Sequence, residues 1–179
     1  MKIKSVAIEN FRGYQQKAVV CFENLTAIVG RNDIGKSTIM EALDIFFHDG
    51  KGLIKLDKDD INKTGKKSGN TDITISVCFT ELPQSVVIDS SNETPLADEF
   101  LLNKEGYLEV SKTFKNAATT ATGMRVAIRA NHPTNPLCAD LLLKKQAALN
   151  SIIDELGVEC EDKRKNACLR KAIWNKYSS

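Results

Sequence analysis

The sequence predicts an α/β fold ending in a carboxy-terminal helical segment, and three observations predict it. Gly30-Arg31-Asn32-Asp33-Ile34-Gly35-Lys36-Ser37 follows the apolar run Leu25 to Val29 and precedes residues with helical spacing. Ile73, Ile75, Val77 and Phe79 alternate with Thr74, Ser76, Cys78 and Thr80, the period of a strand with one buried face. From Leu137 onward, leucine and isoleucine recur at helical spacing instead. At 179 residues, 42% hydrophobic and 27% charged, the chain has the length and balance of a folded domain.

Ile3, Val6 and Ile8, then Val19, Val20 and Phe22, predict two short strands, with Phe11-Arg12-Gly13-Tyr14 as the turn between them. Leu25 to Val29 predicts a buried strand that delivers the chain to the glycine-containing loop. Ile39, Met40, Leu43, Phe46 and Phe47 predict the helix after that loop, ended by His48-Asp49-Gly50. Residues 48–71 are polar and lysine-rich and read as a solvated loop, with a DNA-facing loop as the alternative. After the alternating strand, Leu108 to Phe114 and Met124 to Arg129 predict two more. The first follows a turn at Asn103-Lys104-Glu105-Gly106, and small polar residues 116–123 join the pair.

Leu141, Leu142, Leu149, Ile152, Ile153 and Leu156 predict a helix that Gly157 would cap. A last helix is expected from about Glu161 to Tyr177, with Leu169, Ala172, Ile173 and Tyr177 on one face. Lys163, Arg164, Lys165, Arg170 and Lys171 then form a salt-bridged surface, with phosphate-backbone binding as the alternative. The expected division is residues 1–136, which hold the glycine-containing loop, and residues 137–179, the start of a helical insertion.

A formal charge of +2 is too small to argue for nucleic acid by itself. No run approaches a membrane span, and Glu9 and Arg12 interrupt the amino terminus before a signal-peptide core can form, so the expected location is the cytoplasm. The five cysteines form no C-x-x-C pair and read as free thiols in a reducing compartment. His48 and His132 sit by turn signals far apart in sequence, and neither is assigned a metal.

The spacing G-x-x-x-x-G-K-S is that of the phosphate-binding P-loop. Gly30 and Gly35 let the backbone curl around an anion, and the N–H groups of Arg31, Asn32, Asp33 and Ile34 and of the helix start then face the phosphates. Lys36 would reach the β- and γ-phosphate oxygens and Ser37 would ligate Mg²⁺. Thr38 is placed on the α-phosphate by resemblance to other P-loops. The alternative is a glycine-containing strand-to-helix turn with a solvated lysine. Asn62-Lys63-Thr64-Gly65 begins like a guanine-reading N-K-x-D, but Gly65 has no carboxylate to accept the base's hydrogen bonds, so ATP is the expected nucleotide.

A strand ending in Asn10-Phe11-Arg12-Gly13, a second strand, the run Leu25 to Val29 and then G-R-N-D-I-G-K-S-T together resemble the start of SMC-like and RecF-like ATPases. Asn32-Asp33 before Ile34-Gly35-Lys36 is closer to the overcoming-lysogenization-defect group of bacterial anti-phage ATPases. The resemblance covers roughly residues 1–130. It implies a P-loop NTPase whose ABC-type head amino-terminal lobe has mixed and antiparallel β-sheet, acting on DNA in repair or phage defence. It also implies that Arg12 approaches the nucleotide phosphates and that Asn32 lies beside the γ-phosphate. Read from the residues alone, Arg12 is equally a turn arginine paired with a surface carboxylate, and Asn32 a turn residue tolerant of unusual backbone angles.

Heads of that kind complete hydrolysis with a signature loop, an apolar strand ending Asp-Glu and a switch histidine. None of these follows residue 130. Val86-Val87-Ile88-Asp89 is the nearest approach to a metal-binding strand end, and Gln84 and Gln146 to the glutamine that helps hold Mg²⁺, but each has a plain structural reading. The expectation is therefore ATP and Mg²⁺ binding without efficient turnover. A second ATPase head, as in a homodimer, or a carboxy-terminal lobe would complete the site, with DNA as a partner implied by the resemblance and no membrane. The alternatives are a non-enzymatic ATP-dependent association module, and a small self-contained P-loop kinase or hydrolase using Asp89.

Overall fold

Alternating side chains from Ile73 to Thr80 build the central strand of a five-stranded sheet. The structure, a computed structural model, describes residues 1–29, 35–89 and 92–177. In chain order the elements are β1 (Lys2–Glu9), β2 (Ala18–Cys21), α1 (Lys36–Phe47), a 3₁₀ turn at Lys58–Asp60, α2 (Lys63–Lys67), β3 (Ile73–Thr80), β4 (Val86–Asp89), β5 (Asn92–Thr94), β6 (Leu108–Phe114), β7 (Met124–Arg129), α3 (Gln146–Leu156) and α4 (Asn166–Tyr177). They fall into two compact units, Met1–Glu81 with Tyr107–Arg129, and Leu82–Gly106 with the chain from Ala130 onward.

In the first unit the sheet order is β2-β1-β3-β6-β7 and every pairing is antiparallel. Register puts Val6, Val77, Val110 and Ile128 in one row and Ile8, Ile75, Lys112 and Val126 in the next. This is the face on which α1 packs through buried Ile39, Ala42, Ile45 and Phe46. Lys112 is the one charged residue in those rows. Its Nζ donates to the Phe46 carbonyl at 2.7 Å and to the Asp49 carboxylate at 2.5 Å, and it lies 4.9 Å from the centre of the Phe46 ring. A cation at the carboxy-terminal end of a helix also suits the helix dipole. On the opposite face, hydroxyls pair across strands, Ser76 with Ser111 at 3.0 Å and Thr74 with Thr113 at 3.1 Å.

Two expectations for this unit are corrected. Leu25 to Val29 is not a buried strand: it lies outside both sheets, with Leu25 93% and Val29 88% exposed. Both edges of β1 are already taken, by β2 and β3, so the run cannot pair with that strand. Residues 48–71 are also more than a solvated loop. Leu56, Ile61, Asp60 and Asn62 are buried, and Asp57 and Asp60 form a reciprocal capping box around the 3₁₀ turn.

Asn62 explains why its neighbourhood mimics a guanine motif. Its Oδ1 accepts from Thr64 N and Gly65 N and caps α2, while its Nδ2 donates to the Arg12 carbonyl. Gly65 must be a glycine, because a Cβ there would sit 1.9 Å from Asn10 Oδ1. Asn10 cannot step aside, since its Nδ2 donates to the carbonyls of Asn70 and Asp72, each at 3.0 Å. Gly65→Ala is expected to destabilise this unit by about 1–3 kcal/mol through overpacking, read as a lowered urea midpoint with unchanged slope.

The second unit holds α3 and α4 against a core of Cys138, Leu141, Leu149, Ile153, Leu169, Ile173 and Trp174. Gly157 ends α3 in the left-handed conformation, as its position predicts. The last helix begins at Asn166 rather than Glu161, because residues 162–165 close a turn. The Asp162 carboxylate accepts from Arg164 N, and Lys165 N donates to the Asp162 carbonyl. Its buried face is Leu169, Arg170, Ile173 and Trp174, so Arg170 is not a surface residue. The Arg170 side chain is 1% exposed, and its Nε and Nη2 donate to the two oxygens of buried Glu99 at 2.8 and 2.5 Å. Its Nη1 donates to Asp89 at 2.8 Å. Burial pulls the guanidinium pKa down, but the hydrogen bonds and charges of Glu99 and Asp89 outweigh it and raise the pKa.

Candidate phosphate-binding site

α1 begins at Gly35, whose φ of 76° lies in the left-handed region that favours glycine. No side chain caps this end, and its first turn contains no acidic residue. The first amides of the helix, together with the positive end of its dipole, therefore suit an anion. Ser37 is exposed in that first turn, Lys36 is half-buried, and Thr38 is turned inward at 8% exposure. Of the remaining loop positions named from the sequence, Gly30, Arg31, Asn32, Asp33 and Ile34 lie outside the described residues.

The turn from Phe11 to Tyr14 stands beside this helix start. Phe11 and Tyr14 exchange backbone hydrogen bonds of 2.9 and 2.8 Å, Phe11 is fully buried, and Arg12 takes the corner at φ 47°. Arg12 N donates to the Asp60 carbonyl and its Nε to the Asp60 carboxylate at 2.7 Å, while Nη1 pairs with Glu41 on α1. Its guanidinium also lies 5.0 Å from the centre of the Phe11 ring. Arg12 thus reaches α1 already paired with two carboxylates. Tyr14 meets Gly35 itself: its Oη lies 3.3 Å from the position a Cβ on Gly35 would occupy.

Sequence reasoning missed Glu41, Asp60 and Tyr14. Glu41 lies four residues after Ser37, on the same helix face, and could have been found from that spacing. Nothing local marks Asp60 or Tyr14, because their roles come from tertiary contact across 48 and about 20 residues respectively.

Mg²⁺ fits this donor set only as a guest of the nucleotide. Ser37 offers one hydroxyl, and among the described residues no group of three His, Cys, Asp or Glu is arranged to hold a metal. Phosphate oxygens would have to supply most of its ligands, as is usual for this ion. Asp89, the strand-end candidate, lies in the second unit and is engaged by Arg170. Gln146 opens α3 with its side chain donating to the Arg164 carbonyl, and Gln84 is exposed before β4. A cavity of about 340 Å³ lined by Lys2, Lys4, Phe22, Glu23, Leu25 and Glu81 holds equal numbers of cations and anions. Lys2 is paired there with Glu81 at 2.7 Å, so the cavity offers an anion no net charge.

A family model described as AAA ATPase domain matches residues 1–179. No curated protein matches the chain. Among solved structures, one described as the structural biochemistry of ATP-driven dimerization and DNA stimulated activation of SMC ATPases is 19% identical, with a TM-score of 0.45 over 73% of this chain and 70% of its own. The SMC head domain from Thermotoga maritima is 16% identical, with a TM-score of 0.40 over 73% of this chain and 38% of its own. No described helix is long and apolar enough to cross a membrane.

Proposed function

This chain belongs to the AAA ATPase domain family, and we propose that it is the ATP-binding portion of an SMC-like ATPase whose catalytic residues come from a further segment or a second head. The observation that carries the proposal is the start of α1, where a left-handed glycine, an uncapped helix and the sequence Gly35-Lys36-Ser37-Thr38 coincide. Within this reading Lys36 holds the β- and γ-phosphates, Ser37 completes the Mg²⁺ shell and Arg12 approaches the phosphates once it is released from Glu41 or Asp60.

Phosphoryl transfer to water needs an oriented nucleophile and stabilisation of the developing charge. Residues 1–179 carry no signature loop and no apolar strand ending Asp-Glu, which supports binding here and completion elsewhere. The engagement of Asp89 by Arg170 weighs against a self-contained hydrolase built on that aspartate. Exposed Leu25 and Val29, outside both sheets, favour the association reading instead, since apolar side chains left in solvent are a surface for another segment. A role on DNA, in repair or in phage defence, is the finer part of the proposal and rests on the likeness of residues 10–47 to RecF-like and overcoming-lysogenization-defect ATPases.

Calorimetric titration of the purified chain with Mg·ATP, run beside a phosphate-release assay, tests the reading. Saturable binding with turnover that rises only when a segment bearing the signature loop is added is the expected result. Efficient hydrolysis by the chain alone, lost in Lys36→Ala, would overturn it.

A further inference from the structure

We propose that Tyr14 is a positioning residue of the phosphate loop: its ring edge fills the space beside Gly35 and holds that glycine in the left-handed conformation from which the α1 amides meet a nucleotide's phosphates. The inference rests on reading residues 30–38 as a nucleotide site.

A Cβ built on Gly35 would stand 3.3 Å from Tyr14 Oη, 3.4 Å from Cε2 and 3.6 Å from Cζ. The phenol edge therefore lies against the glycine, close enough to limit its movement and far enough to leave its hydrogen room. The ring is carried on backbone that cannot drift. Tyr14 N and O are both bonded to Phe11, which is buried, and Arg12 between them is bonded through its backbone and side chain to Asp60. The same turn also grips α1 further along, through Arg12 and Glu41. Two contacts from one tight turn, at Gly35 and at Glu41, fix both the conformation of the helix start and its direction.

Glycine explores positive and negative φ about equally, so a glycine at the mouth of an anion site adds an ordering cost to binding unless a neighbour has already ordered it. Fixing the backbone of one residue is worth a factor of roughly 5–30 in affinity, from its conformational entropy. The ligand class concerned is nucleoside di- and triphosphates alike, because the α- and β-phosphates that a P-loop motif holds are present in both. A residue touching only the γ-phosphate would distinguish them.

The test measures Mg·ATP and Mg·ADP affinity by calorimetry for the wild-type chain, Tyr14→Phe, Tyr14→Ala and Tyr14→Leu, with the melting temperature of each nucleotide-free protein. Tyr14→Ala is expected to weaken both nucleotides by the same factor, roughly 5–30-fold, and Tyr14→Phe to rescue both. Tyr14→Leu keeps most of the volume but not the flat edge, and is expected to follow Tyr14→Ala, so the comparison survives if the alanine variant does not fold. Wild-type affinities in a folded Tyr14→Ala or Tyr14→Leu overturn the proposal, leaving Tyr14 a packing residue whatever happens to the melting temperature. A loss confined to ATP also overturns it, since the side chain would then be touching the γ-phosphate; so does a loss in Tyr14→Phe as large as in Tyr14→Ala, because the ring edge that phenylalanine keeps would then not be what holds Gly35. A wild-type chain that binds neither nucleotide overturns the site reading and this inference with it; a wild-type chain that binds while the variants match it overturns the inference alone.

Discussion

Arg170→Ala is expected to destabilise the second unit by about 3–5 kcal/mol, because it leaves the Glu99 carboxylate buried with its bidentate partner gone. That is a large part of the stability of a domain of this size. The loss comes from the stranded charge more than from the missing attraction, and this has a checkable consequence. The double variant Arg170→Met/Glu99→Leu removes both charges together and is expected to recover most of the loss, because Asp89 is partly exposed and can be hydrated. Urea denaturation of the two variants and the wild type gives the comparison. Loss of less than about 1 kcal/mol in Arg170→Ala would show that water reaches Glu99 and that the pair is not buried in solution.

Lys36→Ala is expected to weaken Mg·ATP binding by roughly 10–150-fold, the range for one charge-assisted contact to phosphate. Lys36 is the first residue of α1, outside the row of side chains that α1 buries. Calorimetry at two salt concentrations separates the contact from general attraction. The wild type is expected to lose affinity more steeply with salt than the variant, since it neutralises one more phosphate charge. Equal affinities in wild type and variant would remove the lysine from the site.

Most of the first unit was legible in the sequence because its information is local. Alternation marks β3, and helical spacing marks α1, although the stripe read from it only partly matches the buried face: Ile39 and Phe46 are in the core, Met40 and Phe47 are exposed, and Ala42 and Ile45 are buried instead. What failed to show depended on residues distant in the chain. Leu25 to Val29 has the composition of a strand, yet a strand exists only where its backbone pairs with another, and this run joins neither sheet. Arg170 looks like one more cation on a charged helix until Glu99 and Asp89, 71 and 81 residues earlier, are brought against it. Its helix buries Arg170 and Trp174 fully, while Ala172 and Tyr177, chosen by apolar spacing, pack half-buried against the same core. At the site, Lys36 and Ser37 come from a motif, whereas Tyr14, Glu41 and Asp60 belong to it only through contact.

The long reach of Arg170 also sets a clock during synthesis. Glu99 leaves the ribosome 71 residues before its partner, an interval of roughly 4–14 s at ordinary elongation rates. Through that interval Glu99 keeps its water, and Phe100 beside it has no Trp174 of α4 to pack against. The strands of the first unit, complete by Arg129, can close around α1 meanwhile. The nascent chain therefore completes its first unit before α4 is made, and the second unit becomes resistant to proteases only when α4 arrives.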